Sequence, residues 1–286
     1  MLITFVLLAV AIAAVWLKPL RLTDRIILLP WMVIAAGALL SGLASAVLSP
    51  MAVLELALFC LLAYLATTAR RNLRLLFGVV AAILALALAL HKLPGFNNPI
   101  LLFQLRLSAD SAPFTQYANF DKGAAGLVLL AFMCTRASSA ADWRKLLRQT
   151  GPIALSAVIA VLGLATAIGY VKPDFKISQV SALFLSTNLF FTVVAEEAFF
   201  RGLLQDRLAL SLARFRYGPL LAVACSALLF GAAHIAGGGT YVLLATVAGL
   251  AYAYAYYVTQ RIEAAIIVHF AVNAVHFIGF TYPHLN

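Results

Sequence analysis

The chain has 286 residues, of which 64% are hydrophobic and only 10% charged, with a formal net charge of +10; its mean hydropathy is +1.02. These values exclude an ordinary soluble domain and leave a polytopic membrane protein. The basic residues form no patch but sit in short clusters between apolar runs, so a nucleic-acid partner is excluded as well and the charge reads as membrane topology.

About 20 apolar residues span a bilayer, and ten candidate helices follow in order. They cover residues 2–17, 26–48, 51–69, 73–91, 122–135, 152–170, 180–203, 218–235, 240–259 and 262–282. The first has no basic region ahead of it and its first charge, Lys18, comes after it, which is the pattern of a retained helix and not of a cleaved leader. The fifth is short and starts beside Asp121 and Lys122. Cys60, Cys134 and Cys225 are scattered through apolar segments, as small core residues are, without disulfide or metal spacing.

Basic residues alternate between loops. One set holds Lys18, Arg21 and Arg25, then Arg70, Arg71 and Arg74, then Arg136, Arg144, Lys145 and Arg148, then Arg207, Arg214 and Arg216, and last Arg261. The opposite set is smaller: Lys92, Arg106, Lys122, Lys172 and Lys176. The positive-inside rule puts the larger set in the cytoplasm and both termini outside. Two segments break the helical pattern. Residues 91–121, with Pro94, Gly95, Pro99 and Pro113 among several Asn and Asp, read as an ordered outer loop with a short interfacial helix at 100–107. Gly237-Gly238-Gly239 reads as a tight break between helices eight and nine. The fold class is therefore all-α, a single polytopic membrane domain over 1–286. Residues 1–150 supply accessory helices, and nearly all polar chemistry falls in the last four helices.

That chemistry starts in helix seven, at Ala195-Glu196-Glu197-Ala198-Phe199-Phe200-Arg201. A charge at the centre of a membrane helix costs about 2.5–3.5 kcal/mol on insertion scales, so three charges this close call for a function. On an α-helix Glu197 and Arg201 share a face at i, i+4, where each lowers the cost of the other. Glu196 projects about 100° away, with no cation on its own turn. A carboxylate so placed in a low-dielectric site suits a general base or acid near neutral pH. Helix eight adds Phe230-Gly231-Ala232-Ala233-His234, and helix ten adds His269-Phe270-Ala271-Val272-Asn273, with His269 and Asn273 on one face. These residues form a candidate pocket among helices seven, eight and ten. His276 falls on nearly the same face as His269 and belongs to the wall; His284, in the tail, has no role.

The ordered set Glu-Glu-x-x-x-Arg, Phe-x-x-x-His and His-x-x-x-Asn resembles the CPBP group of intramembrane proteases. That group includes the type II CAAX prenyl endopeptidases and bacterial homologues tied to bacteriocin processing or self-immunity. The resemblance covers residues 180–282, and the first half of the chain carries no matching motif. It implies that Glu196 activates water with help from His234, that Glu197 and Arg201 form a structural ion pair, and that His269 and Asn273 stabilise the oxyanion; Phe230 packs beside His234. The substrate would be a membrane-associated peptide or protein and the setting a bacterial inner membrane. Glu196, His234 and His269 also make a chemically sensible zinc set. With no His-Glu-x-x-His and ligands drawn from three helices, a glutamate mechanism without metal or other cofactor is favoured.

Two other classes compete. A proton-coupled transporter would use the same buried Glu and His residues, but no internal repeat supports it. A non-catalytic immunity or scaffold protein of the same fold would not need the intact acid, histidines and asparagine. One tension concerns depth. At 1.5 Å per residue from the expected helix ends, Glu196 and His269 lie about 10 Å deep and His234 roughly 24 Å. Either helix seven continues toward residue 210, or helix eight tilts or starts elsewhere.

Overall fold

A computed structural model describes residues 1–21, 23 and 27–286. Arg25 of the first basic group and residue 26, the expected start of the second helix, lie outside the described residues. Helical stretches follow in the expected order: α1 Leu2–Ala13, α2 Pro30–Ala44, α3 Pro50–Thr68, α4 Arg71–Ala89, α5 Phe120–Met133, α6 Ala140–Ala167, α7 Gln179–Ser211, α8 Gly218–Ala232, α9 Gly238–Thr259 and α10 Ile262–Gly279. Among the described residues, 6 helices are long and apolar enough to cross a membrane, with shorter apolar helices at Leu2–Trp16, Pro30–Ala44 and Gly218–Ala232. The chain is an all-α integral membrane protein. Burial differs along it. Only 17% of the apolar window of α4 is buried inside the protein, against 56% for α7, so α4 offers most of its surface to lipid and α7 does not.

Three segments depart most from the sequence reading. The Gly151-Pro152 step, expected to open the sixth helix, lies inside α6. Ser139 nucleates that helix upstream, its hydroxyl accepting the Asp142 N–H at 3.0 Å. Pro152 then removes one hydrogen bond from a long apolar helix, which membrane helices tolerate. As a result Arg144, Lys145 and Arg148 stand on a helix and not in a loop. The helix expected at 100–107 is instead strand β1, Ile100–Leu105, paired with β2, Phe114–Tyr117. A segment that short is marginal as a helix, whereas β-branched and aromatic residues in both runs satisfy their backbone as a hairpin. Thr115 reinforces it by accepting from the Gln104 N–H at 3.1 Å. Finally, α7 runs to Ser211, well past residue 203, which sets Glu196 deep within its helix. The Gly-rich break is where it was expected. A 3-10 turn, Ile235–Gly237, ends at Gly238 with φ +84, a conformation glycine adopts without strain.

The chain divides into two compact units. The first comprises Met1–Leu101, Tyr117–Cys134 and Phe190–Phe199. Here α1 packs on α2, α3 on α4, and α5 touches α1, α3, α4 and the middle of α7. Its approach to α7 depends on small residues. A Cβ on Gly126 would meet the Ala195 backbone at 2.7 Å, and one on Gly123 would meet the Phe191 ring at 2.8 Å. Phe191 also makes an edge contact with Phe5 of α1 at 5.8 Å between centroids.

The second unit comprises Leu102–Gln116, Thr135–Leu189 and Phe200–Asn286. In it α9 packs against α6, α8 and α10, and α10 against α6. The tail folds back and is fixed by its backbone: Thr281 N–H donates to the Lys172 carbonyl at 2.9 Å and Leu285 N–H to the Tyr170 carbonyl at 3.0 Å. His284, given no role by the sequence reading, stacks on Tyr170 at 5.1 Å. Within this cluster the Ser108 hydroxyl and the Lys176 ammonium beside it hold the Asp174 carboxyl below the usual range, and burial pushes the Tyr282 hydroxyl above its own.

Close packing at Gly126 yields a direct test. Gly126→Ala should cost about 1–3 kcal/mol through overpacking. Gly163→Ala in α6, where a Cβ meets nothing within 4 Å, should be neutral or stabilise by up to about 1 kcal/mol from helix propensity. Thermal unfolding in detergent micelles measures both.

Candidate functional site

The glutamate pair sits on an unusual piece of helix. Within α7, residues Asn188–Val193 and Ala198–Gln205 are π-helical, and the α-helical turn Val194–Glu197 lies between them. Wide turns of this kind cost hydrogen-bond quality and gather at functional sites. They also alter the face arithmetic: beyond Glu197 the backbone pairs at i→i+5, so α-helical spacing does not describe how Glu197 and Arg201 are disposed. Both are fully buried, at 0% exposure.

In the first unit, Glu196 meets a cation the sequence reading did not assign to it. Lys122 Nζ donates to Glu196 Oε1 at 2.7 Å, and both side chains are largely shielded, at 16% and 15% exposure. Lys122 was grouped with the outer-loop charges, but it lies in the first turn of α5. That turn is held from outside the helix. Asn98 Oδ1 accepts the Phe120 N–H at 2.8 Å, capping one of the donors every helix start leaves open. The buried Asp121 carboxylate accepts from Asn98 Nδ2 at 2.9 Å, from the Lys122 N–H at 2.8 Å and from His91 Nδ1 at 2.7 Å. The only advance sign of this cluster was an Asp-Lys pair opening an apolar run.

In the second unit Arg201, His234 and His269 gather on an aromatic platform. The Arg201 guanidinium carbon lies 5.0 Å from the Phe230 ring centroid and 5.8 Å from that of Tyr252. Its terminal nitrogens donate to Ser226 Oγ at 3.1 Å and to the Gly249 carbonyl at 3.3 Å. The His269 ring stacks flat on Tyr252, 4.4 Å between centroids at 12°, and stands edge-on to Phe230 at 5.6 Å. The His234 ring lies 4.7 Å from Phe230. Phe230 thus packs beside His234, as the sequence reading had it, and also against Arg201 and His269. Tyr252 and Ser226 were not anticipated, because an aromatic or a serine in an apolar run carries no distinctive signal.

Donor assignments follow from these contacts. His234 Nδ1 lies 2.7 Å from the Phe230 carbonyl oxygen. A carbonyl only accepts, so Nδ1 carries the proton and Nε2 of the neutral ring keeps its lone pair. Asn273 Nδ2 donates to Asn188 Oδ1 at 3.2 Å, which occupies one of its two N–H groups. Asn188 opens the first π-segment and was also missed. His276, expected in the pocket wall with His269, rests on the Tyr282 ring at 4.9 Å.

Glu196, His234 and His269 are the chemically plausible zinc donors. Among the described residues, however, no three His, Cys, Asp or Glu side chains group as ligands for a metal ion. Glu196 instead has an ammonium on its Oε1, a charge that repels a divalent cation.

Comparison with known proteins bears on the same segment. Residues 178–275 match the family model described as type II CAAX prenyl endopeptidase, Rce1-like. The match runs from α7 through most of α10 and takes in Glu196, Glu197, Arg201, Phe230, His234, His269 and Asn273. No curated protein and no solved structure matched the chain. The chain thus carries an Rce1-like segment over residues 178–275.

The Arg201 contacts need a planar fork, which an ammonium does not supply. Arg201→Lys should therefore destabilise the protein by about 1–3 kcal/mol, since partners are left unmade in a buried site. Chemical denaturation of the purified protein in micelles measures this.

Proposed function

We propose that the protein is an intramembrane endopeptidase that hydrolyses a peptide bond in a membrane-associated peptide or protein. The observation that carries this reading is the tautomer of His234, fixed by the Phe230 carbonyl within the family-matched segment. It leaves Nε2 as a hydrogen-bond acceptor for water. In the proposed reaction Glu196 takes a proton from a water molecule that His234 Nε2 helps to orient. The resulting hydroxide adds to the scissile carbonyl carbon. His269 and the second N–H of Asn273 donate to the oxygen that becomes negative, and collapse of the intermediate passes the Glu196 proton to the leaving amine.

Several observations support this division of labour. Stacking on Tyr252 fixes the plane of the His269 ring, and the Asn188 contact fixes the Asn273 amide. Both donors are thereby preorganised, the property that makes an oxyanion site effective. Glu197 and Arg201, both fully buried, serve as a structural ion pair whose loss would strand a charge. The metal-free form is favoured by the Lys122 contact on Glu196. The alternation of basic loops supports both termini outside, and the short loops support a bacterial inner membrane. There a peptide segment anchored in the membrane, not a prenylated CAAX terminus, is the expected substrate.

Comparing membrane polypeptides in cells that make the wild type or Glu196→Gln tests the reading. The substrate should accumulate uncleaved in the variant. With that polypeptide and purified protein in vesicles, Glu196→Gln and His234→Ala should abolish cleavage. His269→Ala or Asn273→Ala should lower it about 10²–10³-fold, the usual cost of one oxyanion donor. Chelation with a zinc assay on the same preparation should leave activity unchanged. Cleavage that survives both Glu196→Gln and His234→Ala would overturn the assignment.

A further inference from the structure

Lys122 belongs to none of the motifs at 196–201, 230–234 and 269–273 and lies outside residues 178–275. Its ammonium is nevertheless 2.7 Å from the Glu196 carboxylate, with both groups mostly buried. In a low-dielectric environment an adjacent cation strongly favours the ionised form of a carboxylate and fixes its direction. A general base must be ionised and aimed before substrate arrives.

Much of the surrounding structure is arranged to hold Lys122 in place. Its N–H is bonded to the buried Asp121 carboxylate, which is anchored by Asn98 and His91. His91 ends α4 in a Schellman motif: Lys92 N–H donates to the Ala87 carbonyl at 2.9 Å and His91 N–H to that of Leu88 at 3.1 Å. His91 itself takes the left-handed conformation, φ +55, which glycine adopts freely and a histidine adopts at a cost. The histidine gives what glycine cannot, a ring nitrogen on Asp121. From the other side, Gly126 lets α5 close on the Ala195 backbone next to Glu196. Asp121 and Glu197 are the acidic sequence neighbours of Lys122 and Glu196, and the Lys122 ammonium is bonded to Glu196.

We infer that Lys122 is a positioning residue that keeps Glu196 ionised and oriented as the base, held in turn by Asp121, Asn98 and His91. The inference rests on the peptidase reading for the use made of Glu196, but the contact can be tested without it. Infrared spectra of wild type and Glu196→Gln, subtracted, isolate the Glu196 carboxyl. At pH 7 the wild type should show no protonated-carboxyl band from Glu196. In Lys122→Met that band should appear, and Lys122→Arg, which restores the cation, should remove it. Cleavage should fall at least about tenfold in Lys122→Met and recover in Lys122→Arg. Lys122→Gln serves in the same comparison if Lys122→Met does not yield folded protein.

A Glu196 carboxyl equally ionised with and without the Lys122 cation would overturn the inference. Cleavage insensitive to Lys122→Met would overturn it as well. Cleavage that survives in Glu196→Gln would instead overturn the peptidase reading, and the infrared comparison keeps the two failures distinct.

Discussion

A carboxylate inside an apolar bundle is stable only if something replaces the water it has lost, and in the first unit that something is Lys122. The 2.7 Å contact between Lys122 and Glu196 explains features that otherwise look unrelated. Because a lysine in the first turn of a helix opposes the helix dipole, the acidic Asp121 stands beside it. Because Asp121 is buried, it must be satisfied, and Asn98 and His91 reach in from the preceding loop to do so. Because two helix backbones must come close for the contact to form, Gly126 faces Ala195. The loop that begins at His91 is ordered by this requirement as much as by its prolines.

The second unit answers the same problem for Arg201 in a different way. A guanidinium disperses its charge over a plane, so aromatic faces and single acceptors suffice to bury it. Phe230 and Tyr252 supply the faces, and Ser226 and the Gly249 carbonyl accept from its nitrogens. The same two rings set the plane of His269, and Phe230 lends its carbonyl to His234. Structural burial of a cation and orientation of histidines are thus served by one pair of aromatic residues. Replacing Phe230 would be felt well beyond its own contacts.

Legibility in the sequence followed physical signal. Long apolar runs placed the helices in order, since nothing but a membrane helix explains them. Glu196, His234, His269 and Asn273 stood out because polar groups in such runs are costly. Lys122 was visible only as a topology marker: next to a loop a lysine looks like one, and only packing shows that it also points at a carboxylate. Asn188, Ser226 and Tyr252 gave no warning, since one small polar or aromatic residue in a membrane helix has many ordinary uses. Strand β1 was read as a helix because a short apolar run has no decisive period, and its partner β2 lay beyond the local window. The π-segments of α7 arise from backbone packing and leave no mark in composition, so i, i+4 spacing alone described the face of Glu197 and Arg201 incompletely.

The claim on which the rest hangs is that Glu196 is kept as a buried charge by Lys122. A double-mutant cycle of Lys122→Met, Glu196→Gln and the two combined, read as unfolding free energy in micelles, isolates that coupling from every other effect of each change. A coupling of about 0.5–3 kcal/mol favouring the native pair is the expected result for groups in direct contact. Single-variant costs that add within about 0.3 kcal/mol would contradict it, because charges that do not interact are the only ones that can be removed independently.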